Sequence, residues 1–338
     1  MVLEEFLDEW NNDRPTVLVH TSGSTGKPKP MWVEKRKMLN SARITCDFLG
    51  LKPGDSALLC MPLDYIAGKM VVVRSIERRL KLVSIAPCGH PMAKAEPTTF
   101  AAMVPLQVYN SLRVAEEKRK LMAIRHLIIG GGAVDEEMAA ALRSFPNHVW
   151  STYGMTETLS HIALRRLNGK DASEWYTPFD TVEVLQDAEG CLVINAPLVH
   201  DGALKTNDRV EMRLNKITGK QQFRVIGRKD NVIDSGGIKI QIEEVERKLR
   251  PHLRVPFMVT KTADRKFGEA VVLLCEAPSD SKALSSLNAV FSEDDLRNIC
   301  TSVLPPYWVP KKYVFVDKLP MTETGKPARA EAERMVRG

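Results

Sequence analysis

Between residues 56 and 152 short apolar runs alternate with segments long enough for a helix. Residues 57–61, 82–86, 100–104, 126–129 and 149–152 read as buried strands, and 68–80, 106–113 and 135–145 as helices between them. That alternation predicts a largely parallel sheet with helices on its faces, an α/β fold. Ligands of such sheets sit beyond the carboxyl ends of the strands. Three stretches fall there: 21–30 after the apolar run 17–20, Gly130-Gly131-Gly132, and Tyr153-Gly154.

The flanking segments fill in the organisation. Leu3, Phe6, Leu7 and Trp10 share one side of a short helix, Trp32-Val33 suggests a strand, and 36–49 is a helix closed by Gly50. Residues 180–226 turn β-rich, with a hairpin formed by 182–185 and 191–194. A composition shift at Gly227-Arg228-Lys229-Asp230 opens a small α+β segment, with helices at 243–249 and 293–303 and paired strands at 257–260 and 270–275. The expectation is a large domain over 1–227 and a small mobile one over 228–338, joined only through Arg228 to Asp230.

A length of 338 residues, 44% of them hydrophobic, suffices for two such cores. No apolar run approaches a membrane span, and the acidic start Glu4-Glu5 is unlike a signal peptide, so a cytoplasmic protein is expected. The six cysteines show neither disulfide nor zinc spacing, and His20, His90, His126, His148 and His161 show no metal spacing. A net charge of +6 without a basic block interleaved with aromatics does not indicate nucleic acid; it suits anionic small molecules.

The stretch Thr21-Ser22-Gly23-Ser24-Thr25-Gly26-Lys27-Pro28-Lys29-Pro30 can turn amides and hydroxyls inward, with Gly23 and Gly26 leaving room for phosphate oxygens. It is not the P-loop of NTPases, because Pro28 follows Lys27 where that motif has Ser or Thr. Alone, a solvated turn would read the same way. Five further motifs follow in order: Tyr153-Gly154-Met155-Thr156-Glu157, Thr206-Asn207-Asp208, Gly227-Arg228-Lys229-Asp230, Ser235-Gly236-Gly237 leading to Glu246, and Thr322-Glu323-Thr324-Gly325-Lys326. Each alone is an ordinary turn, linker or packed aromatic. Together, from residue 21 to residue 326, they resemble the adenylate-forming enzymes, which include acyl-CoA synthetases, peptide-synthetase adenylation domains and luciferases.

The resemblance implies ATP, Mg²⁺ and CoA as ligands, and a role for each position. Thr21, Ser22, Gly23, Ser24, Thr25 and Gly26 would hold the β- and γ-phosphates, with Lys29 as supporting cation. Gly131, Gly132 and Ala133 would shape the adenine slot, and Tyr153 and Gly154 would lie against the base. Thr156 would contact the α-phosphate, Glu157 would hold magnesium, Asp208 would accept from the ribose hydroxyls, and Arg228 would lie along the ribose. Lys326 would bridge the acid and the α-phosphate. Asp230 would be the hinge, and Ser235, Gly236, Gly237 and Lys239 would line the CoA channel. These roles fit chemistry in which charge builds on a pentavalent phosphate and its leaving pyrophosphate.

Departures from the family pattern are Pro30 and Asn207, each in place of a usual Gly, and Ile242 in place of a usual Pro. Family members also carry well over a hundred residues before the phosphate loop, where this chain has twenty. A missing N-terminal subdomain would leave part of the acid pocket open, or have a second copy or a partner subunit cover it. The segment 61–69, with Tyr65 in place of the family's histidine, and the run 128–133 are most similar to o-succinylbenzoate:CoA ligases of menaquinone biosynthesis. A dicarboxylate needs a cation in its pocket; Lys69, with Tyr65 beside it, is the candidate, a solvated helix lysine is the other reading of it, and Arg113 and Lys94 are the fallbacks. Another acid, transfer to a carrier protein in place of CoA, and a nucleotide-binding regulator without catalysis are the alternatives. The last is opposed by Glu157, Asp208 and Lys326.

Overall fold

The computed structural model describes residues 1–20, 30–276, 292–322 and 327–337. Helix α1 (Leu3–Asn11) buries Phe6 and Trp10, and β1 (Thr16–His20) pairs antiparallel with β2 (Pro30–Glu34). Helix α2 (Lys35–Leu49) ends on Gly50 at φ 63°, the left-handed cap that glycine takes without a Cβ penalty. Then come β3 (Ser56–Leu59), α3 (Ile66–Arg78), β4 (Lys81–Ser84), β5 (Phe100–Met103), α4 (Pro105–Leu112), α5 (Ala115–Ala123), β6 (His126–Ile129), α6 (Glu136–Leu142), β7 (His148–Gly154), β8 (His161–Arg166) and β9 (Thr177–Pro178).

These strands form a seven-stranded sheet in the order β4-β3-β5-β6-β7-β8-β9. The first five are parallel, as the alternating pattern predicts. The edge strands β8 and β9 run antiparallel, which the sequence reading did not include. Residues 155–160 are too few for a crossover, so β8 can only fold back beside β7. Helix α5 is also an addition: AEEKRKLMA buries only Glu117 and Leu121, too thin a stripe to show periodicity.

A four-stranded antiparallel sheet follows, made of β10 (Glu183–Gln186), β11 (Cys191–Asn195), β12 (Ala203–Leu214) and β13 (Gln221–Arg228). The remainder is β14 (Val232–Ser235), β15 (Ile238–Gln241), α7 (Ile242–Leu249), β16 (Phe257–Asp264), β17 (Gly268–Glu276), α8 (Glu293–Val303), β18 (Lys312–Val316) and α9 (Arg329–Val336). Val271, Leu273 and Cys275 of β17 face one core while Val272 and Leu274 face another, the period-two alternation of a sheet covered on both sides. One core runs from Phe6 to Phe223 and the next begins at Ile233.

Contacts between these cores extend beyond Arg228 to Asp230. Gln241 donates to the Arg228 carbonyl at 2.8 Å and accepts from Arg209 at 3.4 Å. A Cβ at Gly227 would come within 2.4 Å of the Gln241 amide, so the glycine is what lets that side chain lie across the strand. Farther out, Arg250 after α7 pairs with Asp135, the N-cap of α6, at 3.1 Å.

At the amino end of the large sheet His126 is buried, stacks on His148 at 5.0 Å, and has neither ring nitrogen hydrogen-bonded among the described residues. Burial, helped by His148, Arg125 and Arg166, pulls it from 6.5 down to about 4. Because the folded value lies below the free one, the unfolded chain takes up the proton first. This contribution to stability is present above 6.5 and is lost as pH falls toward 4. The melting temperature should therefore drop between about pH 7 and about pH 5, and His126→Leu should shrink the drop. Equal drops in the two proteins would refute the assignment.

Candidate active site

The parallel strands deliver their carboxyl ends to one edge of the sheet. β6 ends at Ile129 and gives way to Gly130-Gly131-Gly132, and β7 ends at Tyr153-Gly154. Gly131 has φ 78°, and a Cβ on Gly130 would meet the Thr152 hydroxyl at 2.4 Å, so neighbouring strand ends pack without side chains between them. Gly131, Gly132 and Ala133 are exposed there. At the same end of the chain's first hairpin, His20 pairs with Pro30 and forms a parallel bridge to Tyr65. Thr21, Ser22, Gly23, Ser24, Thr25, Gly26 and Lys29 lie between those anchors, outside the described residues.

Beyond β7 the chain turns sharply. A Cβ on Gly154 would lie 2.3 Å from the Ser160 carbonyl oxygen, and Leu159 takes φ 65°, which a non-glycine residue rarely adopts. The turn buries Thr156 and leaves Glu157 exposed. One exposed carboxylate beside a hydroxyl fits a hard divalent ion that takes its other oxygens from phosphate and water.

Tyr153 is fixed from three sides. Its ring meets Phe223 edge-on at 5.0 Å and Tyr176 at 5.9 Å, and its hydroxyl donates to Asp208 Oδ2 at 2.6 Å. Burial and the adjacent carboxylate both push the phenol far above its ordinary value, so it remains a donor. Asp208 and Arg228 are register partners across β12 and β13, and the guanidinium donates to Asp208 Oδ1 at 3.3 Å and to Asp230 Oδ2 at 2.8 Å. The structure thus joins Tyr153, Asp208, Arg228 and Asp230 into one set. Gly236 and Gly237, at φ 62° and 82°, make the β14–β15 turn. Ser235 is buried there, Lys239 is exposed, and Gly236 lies against Phe267. Lys326 lies outside the described residues.

Lys69 is corrected. It is buried, with its ammonium over the Phe6 ring and 3.3 Å from Glu9, so α1 already supplies the anion. Tyr65 occupies the N-cap position of α3 without a side-chain capping hydrogen bond. Arg74, 2% exposed, is a buried cation with no carboxylate partner among the described residues, and the sequence analysis did not single it out. It donates to the Ser160 hydroxyl at 2.5 Å and to Thr45 at 3.4 Å, its Nε has no partner among the described residues, and its guanidinium lies 6.0 Å from the Phe100 ring centre. His161 bonds Thr45 through Nε2 and Ser160 through Nδ1, and Thr45 donates to the Ser41 carbonyl. One proton assignment satisfies the set: Thr45 accepts from His161 Nε2–H, and Nδ1 accepts from the Ser160 hydroxyl. The histidine is then neutral, as its burial beside Arg74 requires. Burial pulls Arg74 down to about 10, still charged at neutral pH. The legible signal was a basic residue inside the apolar run Val71-Val72-Val73-Arg74 of a helix buried on all sides.

The architecture and strand-end site define an α/β enzyme that handles nucleotides. The AMP-binding enzyme family matches residues 4–200, and the AMP-binding enzyme C-terminal domain matches residues 258–326. The chain belongs to the AMP-binding enzymes. A 2-succinylbenzoate--CoA ligase of Bacillus cereus is 25% identical over 97% of this chain and 72% of its own length. One from Haemophilus influenzae is 26% identical over 85% of this chain and 62% of its own. Among solved structures, an acyl-CoA synthetase (AMP-forming)/AMP-acid ligase II-like protein from Dyadobacter fermentans is 32% identical, with TM-score 0.63, over 97% of this chain and 92% of that one. The o-succinylbenzoate CoA synthetase (MenE) of Bacillus subtilis, in complex with the acyl-adenylate OSB-AMP, shares the fold at TM-score 0.73 and 24% identity, over 93% and 68%. No described helix is long and apolar enough to cross a membrane.

Proposed function

We propose that this chain activates o-succinylbenzoate in two steps. A carboxylate oxygen attacks the α-phosphorus of ATP and pyrophosphate leaves; the CoA sulfur then attacks the acyl carbon and AMP leaves. Asp208 accepts from the ribose, Tyr153 and Gly131 to Ala133 border the adenine, and Thr156 donates to the α-phosphate. Glu157 would hold the magnesium ion, whose charge supports the leaving pyrophosphate. The loop of Thr21 to Lys29 takes the β- and γ-phosphates, and Ser235, Gly236, Gly237 and Lys239 border the pantetheine arm. The named 2-succinylbenzoate--CoA ligases among the relatives support this reading.

The observation that carries the choice of acid is Arg74, a buried guanidinium held by hydroxyls and an aromatic ring. Burying a charge without a counter-ion costs several kcal/mol, on the order of the penalty for one desolvated ion. A second carboxylate on the substrate removes that penalty. Acid-dependent ATP–pyrophosphate exchange followed by thioester release should show kcat/KM for o-succinylbenzoate above that for benzoate or a medium-chain fatty acid by about thirtyfold or more. Equal activity with monocarboxylates would return the acid to unknown, and exchange without CoA consumption would favour a carrier-protein acceptor.

A further inference from the structure

Asn207 stands where a glycine would have no side chain, and it reaches the hinge. Its amide donates to both oxygens of Asp230, at 3.1 and 3.3 Å. Asp230 also accepts from Arg228, Arg228 donates to Asp208, and Asp208 is the next residue after Asn207. The four side chains therefore close a ring across the ends of β12 and β13.

We propose that Asn207 is a hinge-positioning residue, closing a ring through which a ribose diol on Asp208 is felt at Asp230. This rests on the nucleotide reading above. Both oxygens of Asp208 are already engaged, by Tyr153 at 2.6 Å and by Arg228 at 3.3 Å. Two ribose hydroxyls arriving as donors compete first with the longer contact. Arg228 then loses its anchor on β12, and Asn207 becomes the tie between β12 and the hinge carboxylate among the contacts described. Its contribution should therefore be larger with a ribonucleotide bound than without one.

The test is tryptic cleavage after Arg228 and Lys229, followed by mass spectrometry on the full chain with AMP, with 2′,3′-dideoxy-AMP, or with no nucleotide. Asn207→Gly should speed cleavage about fivefold with AMP, what a single charged hydrogen bond at a solvated site is worth, and about twofold or less otherwise. Asn207→Asp, which sets a like charge against Asp230, should do at least as much, and Asn207→Gln should restore the wild-type rate. ATP–pyrophosphate exchange should keep its KM for ATP in Asn207→Gly, while the thioester step changes in rate. Cleavage accelerated equally with and without AMP, or not at all, overturns the ring. Failure of the wild type to bind AMP by equilibrium dialysis overturns the nucleotide reading with it, so the two failures are told apart.

Discussion

Replacing Lys326 with alanine should slow acyl-adenylate formation by about a hundredfold or more, the loss expected when a charge partner of the transition state is removed. Thioester formation from supplied acyl-adenylate should survive. The surrounding structure gives a reason for expecting the two halves to separate. Met321 and Pro327, which flank Lys326 in sequence, form an antiparallel bridge. Two residues past that bridge, Arg329 donates to the Glu246 carboxylate and to the Val259 carbonyl at 2.9 Å, which ties the start of α9 to α7 and β16. On the proposed reading Lys326 would move with residues 228–338 and meet the α-phosphate in one orientation of that segment and not in another. Single-turnover measurements of each half-reaction check this, and equal losses in both would show that Lys326 has a different role.

The parallel sheet was legible because buried strands read as short apolar runs and the segments between them are long enough for helices. Residues 126–129 and 293–303 coincide with β6 and α8 at both ends. Elements whose burial depends on partners elsewhere were not legible. β8 lies beside β7 because six residues cannot cross over, a fact about the connection that its own hydrophobicity does not carry. The site divides in the same way. Tyr153, Asp208 and Arg228 announce themselves through motif spacing, and the structure joins them by hydrogen bonds spanning 55 and 20 residues. Choosing between Lys69 and Arg74 was beyond the sequence, since both lie on one apolar helix. The difference is that Glu9, sixty residues earlier, reaches the first and no described carboxylate reaches the second.

That difference makes Arg74→Met the sharpest test of the acid. Arg74 contacts Ser160, three residues beyond Glu157, so its guanidinium lies under the turn that presents Thr156 and Glu157. An acid lying between Arg74 and Thr156 would have one carboxylate on the guanidinium and the other toward the α-phosphate. Removing the cation leaves the substrate's second carboxylate buried and unpaired, a loss of about a hundredfold in kcat/KM for o-succinylbenzoate. The KM for ATP should stay within about threefold, because uniform binding of the nucleotide is untouched. Benzoate, which has nothing for the guanidinium to hold, should lose little. Stability should move the other way from a purely structural arginine: exchanging an uncompensated buried charge for an apolar side chain of similar length is often neutral or stabilising. Arg74→Met should therefore melt no lower than the wild type, and Lys69→Met, which strands Glu9 beside Phe6, should melt lower while keeping its KM for the acid. A lower melting temperature in Arg74→Met together with an unchanged KM for o-succinylbenzoate would make Arg74 a structural residue and remove the dicarboxylate from the pocket.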